Sequence, residues 1–219
     1  MRHEIKIPFN NDFNSYFLNW KDFKNKFVKP YSDRSISSVY YDDDELTIAQ
    51  DNLAGISNRK KYRVRWYNNL KNEHNYEIKI KKNNLGKKII LKSDTKISNF
   101  NNLFSMKNNF LLKPENSFFL KNFRNLSLKP VLQVNYLRSY YLYEGVIRLT
   151  FDRNLSYNLC NKFSFKNVEV KDNMSVLEIK FKPEYYNLVL KLIKHSKFVP
   201  KRFSKYLRGL YLKDIVNYV

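Results

Sequence analysis

The sequence predicts an α+β protein, a sheet with ionic side chains on one face and apolar ones on the other, backed by helices. Three observations predict it. At least five runs alternate charged and apolar residues with the period of two that a strand imposes. Two stretches, about residues 11–27 and 183 to the C-terminus, instead space their apolar residues as a helix does. Only four Gly and six Pro occur in 219 residues, with no Gly-, Ser- or Pro-rich linker and no repeat of fixed period, so residues 1–219 read as a single domain.

The elements follow in order. RHEIKIPF (2–9) puts Arg2, Glu4 and Lys6 on one face and His3, Ile5 and Ile7 on the other, and Pro8 is expected to end the strand. Asn11 or Asp12 then caps a helix to about Phe27, with Phe13, Phe17, Trp20, Phe23 and Phe27 as a core stripe rather than a base-stacking platform. Ser35 to Tyr41 is a strand, and DDDELTIAQDNLAG is a short capped helix closed by Gly55. Asp42 to Asp44 resemble a metal-binding run, but acids complementing a helix dipole explain them at less cost.

KKYRVRWY follows, with Lys61, Arg63 and Arg65 opposite Tyr62, Val64 and Trp66. The loop NNLKNEHN, with His74 solvated in it, leads to YEIKIKK, where Glu77, Lys79 and Lys81 lie opposite Ile78 and Ile80. Gly86 turns the chain into KKIILK. Residues 87–130 are the least regular part, with one or two helices expected around Phe100, Leu103 and Phe104. Lys129 to Tyr143 is a long strand in which Arg138 shares a face with Leu132, Val134 and Tyr136. After a turn at Gly145, VIRLTFD sets Arg148, Thr150 and Asp152 against Ile147, Leu149 and Phe151. FSFKNVEVKD is a further strand candidate, and MSVLEIKFK sets Glu178, Lys180 and Lys182 against Leu177, Ile179 and Phe181. Pro183 opens a helix to about Lys197, and a second runs from Pro200 or Lys201 to the end.

Lys+Arg 41 against Asp+Glu 20 gives a net charge of +21, a field that favours polyanions: nucleic acid, an anionic membrane surface or phosphorylated substrates. Lys, Asn, Ile, Tyr and Phe crowd the chain as in AT-rich genomes, so the position of the charges carries more information than their number. The single cysteine, Cys160, forms no internal disulfide and reads as a small buried hydrophobe in a reducing compartment. No apolar run reaches the length of a membrane span and MRHEIKIPF has no apolar signal region, so a soluble, cytoplasmic protein is expected.

Two architectures satisfy these strands. Helices could cover the apolar face of an open sheet and leave the charges in water, or the sheet could close into a barrel with the charges inward. Periodicity does not separate them. The barrel is favoured because the charges recur as R-x-R and E-x-K pairs, with Glu4, Glu77 and Glu178 each followed two residues on by Lys. An interior lined by Arg63, Arg65, Lys79, Lys88, Arg138, Arg148 and Lys180 would cost several kcal/mol per uncompensated charge. A bound polyanion relieves that cost, Arg through forked contacts and Lys as a point charge. The glutamates suit a hard divalent cation bridging phosphates.

Eight pieces of the chain, in order, resemble one family. They are R-x-E-x-K at Arg2, Glu4 and Lys6; SSVYYDD; LAG followed by RKKYRVRWY; EIKIKK with LGKK; YLRSYY at 136–141; VIRLTFDRNL; VLEIKF; and FSKY at 203–206. The family is the polyphosphate polymerase domain of the vacuolar transporter chaperone (VTC) complex and its bacterial relatives, within the triphosphate tunnel metalloenzyme, or CYTH-like, superfamily. The resemblance implies an antiparallel, eight-stranded-type tunnel barrel with helices outside. It implies transfer of the γ-phosphate of ATP to inorganic polyphosphate with Mn²⁺ or Mg²⁺. Lys6, Arg63, Arg65, Lys79, Arg138, Arg148 and Lys180 would then bind phosphates, with Lys88, Lys87 or Lys92 as a further contact. Glu178 would be the principal metal ligand, with Glu4 and Glu77 as lesser candidates. Ser204 and Lys205, at the start of the last helix, would also meet phosphate.

The hydrolase branch of the superfamily favours E-x-E-x-K at its start. Arg2 in the first place favours the polymerase-like branch. Eukaryotic relatives add an inositol-phosphate-sensing domain and membrane helices, which these 219 residues do not contain. Sensing and translocation, if any, are therefore expected elsewhere, with a membrane protein as a possible partner. Two other readings remain: a metal-dependent triphosphatase, and a non-catalytic module binding polyphosphate or nucleic acid. Nucleic acid is not expected, because the strands put basic and aromatic residues on opposite faces.

Overall fold

The computed structural model describes residues 3–23, 26–68, 70, 73–82, 85–93, 113, 116–117, 127–160, 168–194 and 196–217. The helices expected around Phe100, Leu103 and Phe104, together with Arg2 and His195, lie outside the described residues. The chain divides into two compact units, each drawn from three stretches: residues 1–35, 136–156 and 171–204, and residues 36–135, 157–170 and 205–219.

The first unit holds β1 (His3–Asn10), a 3-10 turn (Asn11–Phe13), α1 (Asn14–Phe23) and β2 (Phe27–Val28). It also holds most of β7 (Lys129–Tyr143) and of β8 (Ile147–Leu159), then β10 (Met174–Phe181) and α3 (Tyr186–Lys194), which follows a 3-10 turn at Pro183–Tyr185. Its strands hydrogen bond in the order β1-β10-β8-β7, with β2 on β7. The antiparallel register puts Lys6 opposite Glu178 and Glu178 opposite Thr150. It also puts Glu4 opposite Lys180 and Lys180 opposite Arg148. Directly opposed residues share a face, so the charged residues of the three strands fall together. The other face carries Ile7, Phe9, Leu149, Phe151, Leu177, Ile179 and Phe181, sealed by Phe17 and Trp20 of α1 and by Val189 and Leu192 of α3. Phe17 lies 4.6 Å, centroid to centroid, from Phe151, and Phe17 and Trp20 of the aromatic stripe are core as expected, with Phe27 packed against them.

The second unit holds most of β3 (Arg34–Asp42), α2 (Thr47–Leu53), β4 (Arg59–Tyr67), β5 (His74–Lys82), β6 (Leu85–Ser93) and α4 (Lys205–Leu212). β3, β4, β5 and β6 are neighbours in that order and antiparallel. Val39, Tyr41, Tyr62, Val64, Trp66, Tyr76 and Ile78 form the apolar face, with Ile48 of α2 packed on it. Asp42 is fully buried and accepts the backbone N–H groups of Ile48 (2.9 Å) and Ala49 (3.0 Å) and the hydroxyl of Tyr206 (2.7 Å). It therefore serves the N-terminus of α2, as the sequence suggested. Burial raises its pKa even against those donors. The short β9 (Val170–Lys171) pairs with β8.

Several element expectations shift. Pro8 does not end β1, which runs on to Asn10; β1 terminates the strand order, and an edge position tolerates a missing N–H. Gly86 is not a turn but a residue of β6 opposite Lys81. α1 stops at Phe23, and Phe27 belongs to a strand. α3 begins at Tyr186 and ends at Lys194, and α4 spans only Lys205–Leu212. His74 is the first residue of β5, 2% exposed and edge-on to Tyr76, not a solvated loop residue. Of FSFKNVEVKD only Val170 and Lys171 are strand among the described residues. Cys160 packs against the second unit's core, where burial pushes its thiol up to about 12, so it is no nucleophile.

Candidate phosphate and metal site

Each unit centres its charged face on one buried glutamate. In the first unit Glu178 is 7% exposed. Lys180 Nζ donates to its Oε2 at 3.0 Å, Arg138 Nη2 lies 3.8 Å from the same oxygen, and Lys6 Nζ lies 4.0 Å from Oε1. Lys6 Nζ also stands 3.5 Å from Glu4 and donates to the Phe203 carbonyl at 3.0 Å. Arg138 itself forks onto Asp152, Nε to Oδ1 at 2.5 Å and Nη2 to Oδ2 at 2.7 Å. Burial works against the Arg138 charge, but Asp152, Tyr136 and Glu178 together outweigh it and raise the pKa, and the fork onto Asp152 aims the guanidinium. Arg148 is exposed, directly opposite Lys180. Thr150 is 9% exposed, and its Oγ1 is buried with no hydrogen-bond partner among the described residues.

In the second unit Glu77 is 1% exposed and held more tightly. Arg63 Nε donates to its Oε2 at 2.6 Å and Nη2 approaches the same oxygen at 2.5 Å, while Lys88 Nζ donates to Oε1 at 3.2 Å. Burial alone would raise the Glu77 pKa, yet Arg63, Arg65 and Lys88 bring it down to about 2. Arg65 is 5% exposed and donates to Ser38 Oγ at 2.9 Å. Tyr40 accepts from Arg63 Nη1 at 3.1 Å and stacks on Tyr206 at 5.2 Å. Burial raises the Tyr40 phenol, but the charges of Arg63, Arg65 and Lys205 together carry it below its ordinary value. That cause places Lys205, 9% exposed at the start of α4, within the same field. Lys61, Lys79 and Lys88 stand in one cross-strand row, an arrangement of like charges that favours an anionic ligand. Lys92 shares this face, opposite Asn75, whereas Lys87 falls in register with Ile80 on the other.

The candidates that the sequence offered therefore fall into two sets. Glu4, Lys6, Arg138, Arg148, Glu178 and Lys180 belong to the first unit's face, and Arg63, Arg65, Glu77, Lys79, Lys88 and Lys205 to the second's. Ser204 directly precedes α4 and is half-buried. Sequence reasoning passed over three contributors. Asp152, which orients Arg138, was visible two positions beyond Thr150 on an ionic face. Ser38 and Tyr40, which receive Arg65 and Arg63, lie within SSVYYDD but, being uncharged, carry no sign of a site by residue type.

Residues 4–212 match the model of the VTC domain. This chain belongs to the VTC domain family. No curated protein matches its sequence. Among solved structures, the VTC domain resembles a Hippeastrum protein, HpAC1, named as an adenylyl cyclase and reported to have a dominant triphosphatase activity. The TM-score is 0.59 at 13% identity, covering 99% of this chain and 98% of that one. It also resembles a candidate adenylate cyclase from Vibrio parahaemolyticus, with TM-score 0.54, 13% identity and 96% and 97% coverage. A third, from Bacillus halodurans and described likewise, gives TM-score 0.52, 13% identity and 93% and 96% coverage. At such identity the likeness speaks to the fold, which is the antiparallel triphosphate tunnel class that the motifs implied. No helix among the described residues is long and apolar enough to cross a membrane.

Among the described residues no three His, Cys, Asp or Glu side chains gather as a ready-made metal cluster. Mg²⁺-like ions need no such cluster, since they take one or two carboxylates and complete their shell with substrate phosphates and water. Glu178 and Glu4, joined through Lys6, supply such a pair of hard oxygen donors. Glu77 instead has a guanidinium at 2.5 Å and a lysine on its other oxygen.

Proposed function

We propose that this VTC domain is a polyphosphate polymerase that transfers the γ-phosphate of ATP to the end of an inorganic polyphosphate chain. The observation that carries the reading is the paired charged faces, each a ring of Arg and Lys about a buried glutamate, in a chain matching the VTC domain over residues 4–212. The terminal phosphate of the acceptor is already an anion, so no general base is needed. One of its oxygens forms a bond to the γ-phosphorus while the bond from that phosphorus to the β–γ bridging oxygen breaks, and ADP leaves with the electron pair.

The chain's contribution is positioning and charge neutralisation. Arg63, Arg65, Lys79, Lys88 and Lys205 grip phosphate oxygens, as do Arg138, Arg148, Lys6 and Lys180, with Ser204 adding a hydroxyl. Asp152 aims Arg138. Glu178, with Glu4, would hold Mn²⁺ or Mg²⁺, which would neutralise charge developing on the phosphates. Glu77, offered by the sequence as a further metal ligand, is better placed to orient Arg63 and Lys88.

Incubation with ATP and Mn²⁺ followed by gel electrophoresis tests the assignment. A polyphosphate ladder is the expected product. Orthophosphate alone would mark a triphosphatase, the second reading, which draws on the activity of the Hippeastrum protein. Binding of polyphosphate with no turnover would leave a non-catalytic module.

A further inference from the structure

The glutamates of the two units each have two directly opposed neighbours across the sheet, and these match in kind at one position only. Each is flanked across the sheet by one cation, Lys6 beside Glu178 and Arg63 beside Glu77. On the other side Glu77 has Ile90, and Glu178 has Thr150. An aliphatic side chain is thus accepted next to such a glutamate, and Thr150 is not required by the sheet. Its hydroxyl is unfavourable where it stands: Oγ1 is buried and has no hydrogen-bond partner among the described residues, so its desolvation is uncompensated. Along β8 it sits between Arg148 and Asp152, and across from it Glu178 Oε2 is occupied by Lys180 at 3.0 Å. A divalent cation at Glu178 competes with that ammonium for the same carboxylate.

We propose that Thr150 is a positioning residue for Glu178. Its hydroxyl donates to the carboxylate once a cation has displaced the lysine, fixing the orientation in which Glu178 holds the metal. Partners of this kind, one shell out from the ion, commonly alter metal affinity by about 10–100-fold when removed. The inference rests on the reading of Glu178 as a metal ligand.

Both are tested by Mn²⁺ binding followed by electron paramagnetic resonance, with inorganic tripolyphosphate present and no turnover. Thr150→Val is expected to weaken Mn²⁺ binding by about 10-fold, with an unfolding midpoint equal to or above that of the wild type, because a buried unmet hydroxyl has been removed. Thr150→Ser is expected to restore wild-type affinity. Unchanged affinity in Thr150→Val overturns the inference, and so does an equal loss in Thr150→Ser, which would assign the effect to packing. Unchanged affinity in Glu178→Gln, or no uptake by the wild type, overturns the metal seat itself. Loss in Glu178→Gln with none in Thr150→Val removes only the inference.

Discussion

The same three-residue pattern, E-x-K on a strand, is used differently in the two units. Around Glu178 three carboxylates, Glu4, Asp152 and Glu178, are interleaved with Lys6, Arg138, Arg148 and Lys180. Around Glu77 the described residues bring one carboxylate together with Arg63, Arg65, Lys88 and Lys205. The first face is close to balanced and rich in oxygen donors. Among the described residues the second has more cations than carboxylates. On the proposed reading, a glutamate with a lysine at 3.0 Å and other cations at 3.8 Å and 4.0 Å is the one that exchanges them for a metal ion. On the same proposed reading, a glutamate clasped by a guanidinium at 2.5 Å acts instead as a strut that orients its cations. The surroundings, not the motif, assign the role.

The largest expected effect separates these roles. Glu178→Gln is expected to lower turnover with ATP and Mn²⁺ by roughly 10²–10³-fold while leaving tripolyphosphate binding equal or tighter, read by a filter or calorimetric assay. Loss of both together would make the two faces equivalent and break the comparison.

Glu77→Gln acts first on stability. A carboxyl whose folded pKa is depressed contributes stability above its unfolded pKa and loses it as pH falls through the folded value. For Glu77 that window runs from about 4.5 down to about 2, and the contribution at neutral pH is on the order of 3 kcal/mol. Denaturant unfolding at pH 7 is expected to show a loss of about 3–5 kcal/mol for Glu77→Gln, since buried cations lose their partner. The wild type loses its corresponding share between pH 4.5 and about 2, and the variant does not. A variant as stable as the wild type at pH 7 would show that Glu77 is no strut.

Arg65→Met sharpens the contrast from the phosphate side. It is expected to weaken tripolyphosphate binding by about 10-fold or more, the value of a charge-assisted hydrogen bond, while Mn²⁺ affinity measured without phosphate stays unchanged. A smaller effect comes from the support of the second face. A Cβ at Gly209 of α4 would meet Leu132 Cδ2 and Tyr157 Cδ1, each at 2.5 Å. Gly209→Ala is therefore expected to cost about 1–3 kcal/mol in denaturant unfolding. Because α4 carries Lys205 and Tyr206, phosphate affinity should fall with it, while the metal seat in the other unit is untouched.

By itself the sequence determined the strands and which side chains share a face. Period-two alternation is local, and it is enough to place Arg63 with Arg65 and Glu178 with Lys180, as helical spacing is enough to place Phe17 and Trp20 in the core. It misplaced Pro8 and Gly86 because both were judged by residue type, whereas a proline at a sheet edge and a glycine inside a ladder are decided by the neighbouring strand. It read His74 as solvated because a polar loop and the first residue of a strand look alike until the register is set. Only the tertiary structure decided that Asp152 grips Arg138, that Ser38 and Tyr40 receive Arg65 and Arg63, and that Thr150 rather than an aliphatic residue lies beside Glu178. Those facts depend on which strands become neighbours and in what register, a long-range choice made by burying the apolar faces, and no local pattern of residues encodes it.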